Sequence, residues 1–248
     1  MKHKMTLLAL ALAPFAAMAA DEPDADKLWT GEANLSYIDN SGNTESTNLA
    51  FRSGATRDGE TWRNIYKLEA SNETAEQTDD AGNEKEVRTA EKYFASAKAE
   101  YKFGDSSYFF GLLEYTDDRF SGYDYEASAT FGYGQDIIKN EIHELSADAG
   151  IGYRESKEIE TGDVLEEAVL RLGAVYLWRI SETATFDEDF STEIGEEKTV
   201  TKSYTRLKVK INGSLHGFVA YEIKHTDEVP EDVKNSDRKF MVGVNYSF

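Results

Sequence analysis

Arg206, Lys208 and Lys210 fall at every second position, between Leu207, Val209 and Ile211. Lys98 and Lys102 alternate in the same way with Ala97, Ala99, Tyr101 and Phe103. Arg63 and Lys67 oppose Trp62, Tyr66 and Leu68, and Arg171 opposes Leu170 and Leu172. Glu69, Glu100, Glu114, Asp148, Asp187 and Asp189 take corresponding positions with the other sign. A two-residue period puts all of these on one face of extended chain. Fixed charges lining such a face replace part of the hydration shell of a passing ion or polar solute and set its selectivity. The same charges can also pair with one another and plug a narrow lumen. Both readings stay open, and a narrow pore is the working one.

Other candidate chemistry is sparser. Asp118, Arg119, Tyr123 and Asp124 cluster around Ser121-Gly122, a dipeptide with turn chemistry. They read as a structured loop with an internal ion pair, or as a ligand contact at the mouth of a barrel. Beyond the first twenty residues the histidines are His143, His216 and His225, none beside a nucleophile and an orienting partner in a triad-like arrangement. No pair of histidines has metal-ligand spacing, and the chain has no cysteine, which excludes disulfides, thiolate metal sites and a Cys nucleophile. The reading is of a non-enzyme without cofactor. A net charge of -20 argues against nucleic acid as a partner, because phosphate contacts need a basic surface.

The elements that must position these charges are strands. Roughly twelve segments of about ten residues alternate in period two, as transmembrane strands do. Trp29, Gly31, Ala33, Leu35 and Tyr37 open the series, and Leu145, Ala147, Ala149, Ile151 and Tyr153 are among the clearest. Tyr108 to Tyr115 is apolar on both faces; Glu114 assigns Phe109, Leu113 and Tyr115 to the lipid side. Thr183 to Thr192 is harder, because the face of Ala184, Phe186 and Phe190 also carries Glu188. A charge facing lipid is costly, so Glu188 belongs near the interface or the strand is bulged. After the first hairpin, long acidic stretches (Asn72 to Arg88, Asp117 to Tyr125, Glu155 to Leu165, Thr226 to Asp237) alternate with short turns at Asp58-Gly59, Gly104-Asp105, Lys139-Asn140, Ser181-Glu182 and Asn212-Gly213-Ser214. That is the rhythm of extracellular loops and periplasmic turns. The acidic loops can also bind divalent ions that bridge lipopolysaccharide, although solvated loops need no such role.

The ends fit an exported barrel. Lys2, His3 and Lys4 precede an apolar run from Met5 to Phe15 and a small-x-small site at Ala17-Met18-Ala19, which reads as a cleaved signal peptide over residues 1–19. Residues 20–248 then form one barrel domain. No later run is long and apolar enough for a membrane helix. The mean hydropathy of -0.58 does not contradict a membrane barrel, since half of each strand faces the lumen. In the last strand Phe240, Val242, Val244, Tyr246 and Phe248 share one face. They are similar to the C-terminal insertion signal that the barrel-assembly machinery reads.

Trp29-Thr30-Gly31, Ser41-Gly42-Asn43-Thr44, Arg57-Asp58-Gly59 before Trp62, Gly150-Ile151-Gly152-Tyr153-Arg154 and, most specifically, Asp118-Arg119-Phe120-Ser121-Gly122-Tyr123-Asp124-Tyr125 resemble the YdiY-like family of salt-induced outer-membrane proteins. The resemblance runs over most of the chain. It implies an outer-membrane location and a link to salt or envelope stress. This is a domain-of-unknown-function family and supplies no catalytic residues. The expectation is an all-β antiparallel transmembrane barrel in a bacterial outer membrane, in contact with lipid and lipopolysaccharide and passing ions or small polar solutes. A closed barrel with a structural or surface-binding role is the alternative, and an outer-membrane enzyme is the third reading.

Overall fold

The computed structural model describes residues 28–41, 46–78, 84–118, 122–229 and 234–248. The signal-peptide residues, Arg119 and the Gly42-Asn43-Thr44 turn lie outside them. The described chain is twelve strands: β1 (Trp29–Ser41), β2 (Ser46–Asp58), β3 (Trp62–Thr78), β4 (Glu84–Phe103), β5 (Ser107–Asp118), β6 (Tyr123–Lys139), β7 (His143–Glu158), β8 (Val164–Arg179), β9 (Ala184–Ile194), β10 (Thr199–Lys210), β11 (Leu215–Thr226) and β12 (Ser236–Ser247). Each pairs antiparallel with its sequence neighbours, and β12 closes the ring on β1. Closure leaves no sheet edge, so every strand has a ladder partner on both sides. The seam ends on reciprocal backbone bonds between Gly31 and Phe248, of 2.9 and 3.0 Å.

The alternating pattern sorts side chains across this wall. Phe240, Val242, Val244 and Tyr246 face outward, all about half exposed, as do Leu35, Tyr37, Leu113 and Ile151. Asn34, Ser36, Asn245 and Met241 of the same or neighbouring strands are buried inside. Outer aromatics gather near strand ends, with Trp29 stacked on Tyr66, Trp62 edge-on to Tyr101, and Phe103 stacked on Phe109. Such belts suit the two polar–apolar boundaries of a bilayer.

The strands run longer than periodicity alone indicates. β3 and β4 occupy most of the stretch from Asn72 to Arg88 that composition marks as a loop, leaving residues 79–83 between them. Residues 155–165 likewise shrink to a connection between Glu158 and Val164. Acidic, polar segments stay paired here because ladder hydrogen bonds do not need an apolar face once the strands project beyond the membrane boundary. The β9–β10 connection is equally short. It has only Gly195 to Lys198, next to the nine residues that join β11 to β12 at the same end.

Two local features re-aim side chains. A register shift between Tyr123 and Tyr125 turns Tyr123 inward while Tyr125 stacks outside on Tyr115. One extra residue inverts the alternation beyond it. On β5, Tyr108, Phe110 and Leu112 are buried inside the barrel. Gly132 and Gly150, paired across β6 and β7, make the room for Phe110. A Cβ on Gly132 would sit 2.5 Å from the Gly150 Cα and overlap the Ala149 carbonyl oxygen, so glycine is required by a close approach and not by a turn.

Glu188 does face outward, on an unbulged strand. It pairs with Tyr176 of β8, one dyad above the Trp178–Phe186 pair in the aromatic belt. Ser203 and Thr205 donate hydrogen bonds to its carboxylate, at 2.7 and 2.5 Å. Position near the belt and two hydroxyl donors reduce the penalty of a carboxylate on this face. Glu188→Leu is therefore expected to stabilise the folded barrel in lipid by about 1 kcal/mol, read as a shift of the urea midpoint.

Candidate functional site: the charged lumen

Side chains inside the barrel form three tiers between the end with tight turns and the end with longer loops. Nearest the turns, Arg63 pairs with Glu100 and reaches Asp136 at 3.2 Å. Lys98 bonds Glu100 and Asp148 at 2.9 and 2.8 Å, its ammonium lying 4.8 Å from the Phe110 ring centroid. Opposite them, Arg206 binds Glu32 at 2.8 Å and Asp187 at 3.2 Å, and Lys208 lies 3.6 Å from Glu32. Asn245, fully buried, donates to Glu32 and Asn34 at 3.0 and 2.8 Å. Lys102 pairs with Asp58 at the β2–β3 turn, and Lys210 is exposed at the strand end, so these two sit at the rim.

At mid-height, Arg52 lies between Glu69 at 2.9 Å and Glu222 at 2.5 Å, stacked 4.0 Å over Tyr204. Lys92 approaches the same Glu222 at 3.9 Å. Arg171 binds Asp148 at 3.0 Å and stands 3.9 Å from Glu114. Its Nε and the Glu193 Oε1 face each other at 4.0 Å, a gap that one water can bridge. Lys67 and Asp189 form an ion pair between β3 and β9, which are opposite one another in the closed ring. That pair crosses the full bore. It is also wet: the side chains are 44% and 35% exposed, and Val175, the inner-face partner of Asp189, is 47% exposed. Dense packing of neighbours around Asp189 does not remove that solvent contact.

At the loop end solvent is largely excluded. Arg154 is 2% exposed and binds Glu167 at 2.6 Å, Glu193 at 3.3 Å and the Lys198 carbonyl at 2.6 Å. Lys198, in the four-residue β9–β10 turn, is 3% exposed. Its ammonium lies 3.4 Å from the Tyr123 ring centroid and 2.8 Å from Glu126, which also binds Lys224 of β11 at 3.0 Å. Burial pushes the Lys198 ammonium down, against the pull of Glu126. Two cavities inside the barrel have volumes of about 20 and 30 Å³, room for about one water each. A concavity of about 1050 Å³ lies on the outer wall between Tyr66 and Tyr153, over Ala97, Ala99 and Gly111, where small side chains thin the apolar belt.

The mouth segment is divided by this geometry. Tyr123 lies under Lys198, whereas Asp124 pairs outside with Lys157 at 3.0 Å. Asp118 pairs in register with Tyr123, and Arg119 is outside the described residues. Sequence reasoning missed Lys92, Glu126, Arg154, Glu167, Glu193, Lys198, Glu222 and Lys224. Glu222 and Lys224 obey the two-residue period between Tyr221 and Ile223 and were legible. Lys198 lies in a turn, where periodicity says nothing.

The histidines are dispersed. His143 stacks on Tyr176 and Trp178 in the outer belt, with Nδ1 2.9 Å from the Tyr176 hydroxyl. His225 Nδ1 is 2.8 Å from the Ser236 hydroxyl, its cross-strand partner, and among the described residues no carboxylate hydrogen-bonds the ring. Groups of three or more metal-ligating side chains are absent among the described residues. Among the described residues, neither His143 nor His225 bridges a nucleophile and an orienting carboxylate.

Comparison with known proteins agrees with the architecture. An uncharacterized protein, YdiY of Escherichia coli (strain K12), is 28% identical over 233 residues, covering 92% of this chain and 86% of its own. The NanC porin structure superposes with a TM-score of 0.56 at 11% identity, over 86% of this chain and 98% of that one. The translocator domain of the autotransporter NalP from Neisseria meningitidis superposes with a TM-score of 0.52 at 13% identity, over 98% and 96%. At such identities these two show a shared outer-membrane-type barrel fold and nothing finer. The model of the protein family described as "Protein of unknown function, DUF481" matches residues 33–248, and the chain belongs to that family.

Proposed function

We propose that this barrel resides in a bacterial outer membrane, with its longer loops outside, and acts as a narrow conduit for ions or small polar solutes. The observation that carries the reading is the wet cross-lumen pair Lys67–Asp189, set between tiers of charged side chains that continue towards both ends. A barrel that serves only as an anchor can fill its interior with apolar side chains. Here charged groups hold the interior, and Arg52, Arg63, Lys98, Arg154, Arg171 and Arg206 are each shared between carboxylates. A solute can exchange such partners one at a time, so the barrier at each tier is a swap and not a loss of the ion pair. Basic and acidic groups are nearly balanced in the lumen, and the strong net negative charge lies mainly elsewhere, which favours weak selectivity with a cation preference from the acidic rim.

The second reading, a closed barrel acting through its surface, is favoured by the small internal cavities. Refolded protein in a planar bilayer separates the two. Discrete small current steps are expected, with a reversal potential under a salt gradient that shifts towards cations when Arg206 and Lys208 are neutralised. Protein shown to be folded and inserted, yet silent over a wide voltage range, rejects the conduit and leaves the closed barrel.

A further inference from the structure

A lysine in a four-residue turn at the loop end is ordinarily solvated. Lys198 is instead 3% exposed, and side chains from three strands hold it or the adjacent Glu197. Its ammonium bonds Glu126 of β6 and caps the Tyr123 ring. Its carbonyl accepts from Arg154 of β7. The neighbouring Glu197 N–H donates to Glu167 of β8 at 2.9 Å. Glu126 continues the chain of contacts to Lys224 of β11, far around the ring. Gly195 permits the seating, because a Cβ there would overlap the Glu167 carboxylate. The hairpin is thus folded into the mouth and held by side chains from β6, β7 and β8, above the wet middle of the lumen.

We propose that the β9–β10 hairpin is a latch that closes the loop-end mouth and sets how long the conduit stays open. This rests on the conduit reading, and it assigns the closing of the mouth to Lys198 and its Glu126–Tyr123 seat. The latch is built to part without stranding a carboxylate. When Lys198 leaves, Glu126 keeps Lys224 as its partner, and the freed ammonium enters water.

The chain has no native cysteine, so a single thiol can report access. Ser128 lines the small cavity beneath Glu126. In Ser128→Cys protein in lipid vesicles, the labelling rate by a sulfonated, membrane-impermeant methanethiosulfonate reagent added from the loop side would be compared with and without Lys198→Ala. The expected result is a rise of tenfold or more on removing Lys198, with a longer open time but an unchanged step size in bilayer recordings. Glu126→Gln is the second variant, and heat-modifiable mobility verifies folding for both. Labelling within twofold of the parent in both folded variants overturns the latch, whatever the currents do. Faster labelling in barrels that never conduct supports the latch as a cover and counts instead against the conduit.

Discussion

Arg154→Met will destabilise the barrel by about 3–5 kcal/mol, the cost of breaking a buried charge pair by removing one partner. Arg154 is 2% exposed and its guanidinium serves Glu167, Glu193 and the Lys198 carbonyl together. Methionine fills a similar volume and offers none of those donors. Glu167, 6% exposed, would keep only the Glu197 N–H as a partner, and the hairpin carbonyl would lose its donor. The measurement is urea-induced unfolding in lipid vesicles, followed by tryptophan fluorescence. Adding Glu167→Gln to Arg154→Met should recover part of the loss, because the stranded carboxylate goes with it. A cost below about 1 kcal/mol for the single variant would mean that water already reaches this cluster and that the loop-end tier is not dry.

Lys67→Ala combined with Asp189→Ala will enlarge the unit conductance several-fold while leaving the open time as it was. The pair spans the bore, so deleting both side chains removes the bar across the lumen's mid-height in one step. Because the two charges leave together, no unpaired ion remains and net lumen charge is unchanged. Stability should move by less than about 1 kcal/mol, as for other solvent-accessible pairs. Single-channel recording at symmetric salt reads the step size directly. An unchanged step would place the narrowest constriction elsewhere, with the Arg52–Glu69–Glu222 group as the next barrier to remove. The two variants separate two properties: the bar at mid-height governs amplitude, and the hairpin at the mouth governs duration.

Much of this molecule is legible in one dimension. Period two fixes which side chains face out, because a pleated strand leaves a side chain no third direction. Phe240 to Tyr246, Leu113 and Ile151 are placed by that rule alone, and so is the inward set from Arg63 to Arg206. The rhythm of tight turns and longer connections gives the number of strands and the antiparallel order, and the ring must close because membrane-embedded edges cannot remain unpaired. Strand lengths were less legible: acidic residues in β3, β4 and β7 look like loop until a neighbouring strand supplies hydrogen-bond partners.

Which charge meets which lay beyond the sequence. Lys67 and Asp189 are remote along the chain and become partners only because ring closure sets β3 opposite β9. Tyr123 turns inward because a single extra residue breaks the alternation, and no local pattern announces it. Lys198 is buried because Arg154 and Glu126 hold it, and Glu167 holds the neighbouring Glu197 N–H, from three strands. Sequence alone determined the wall, since backbone geometry and side-chain polarity act locally. The contents of the lumen were decided by tertiary structure, since ion pairing depends on distances across a bore whose width and register exist only once the barrel is closed.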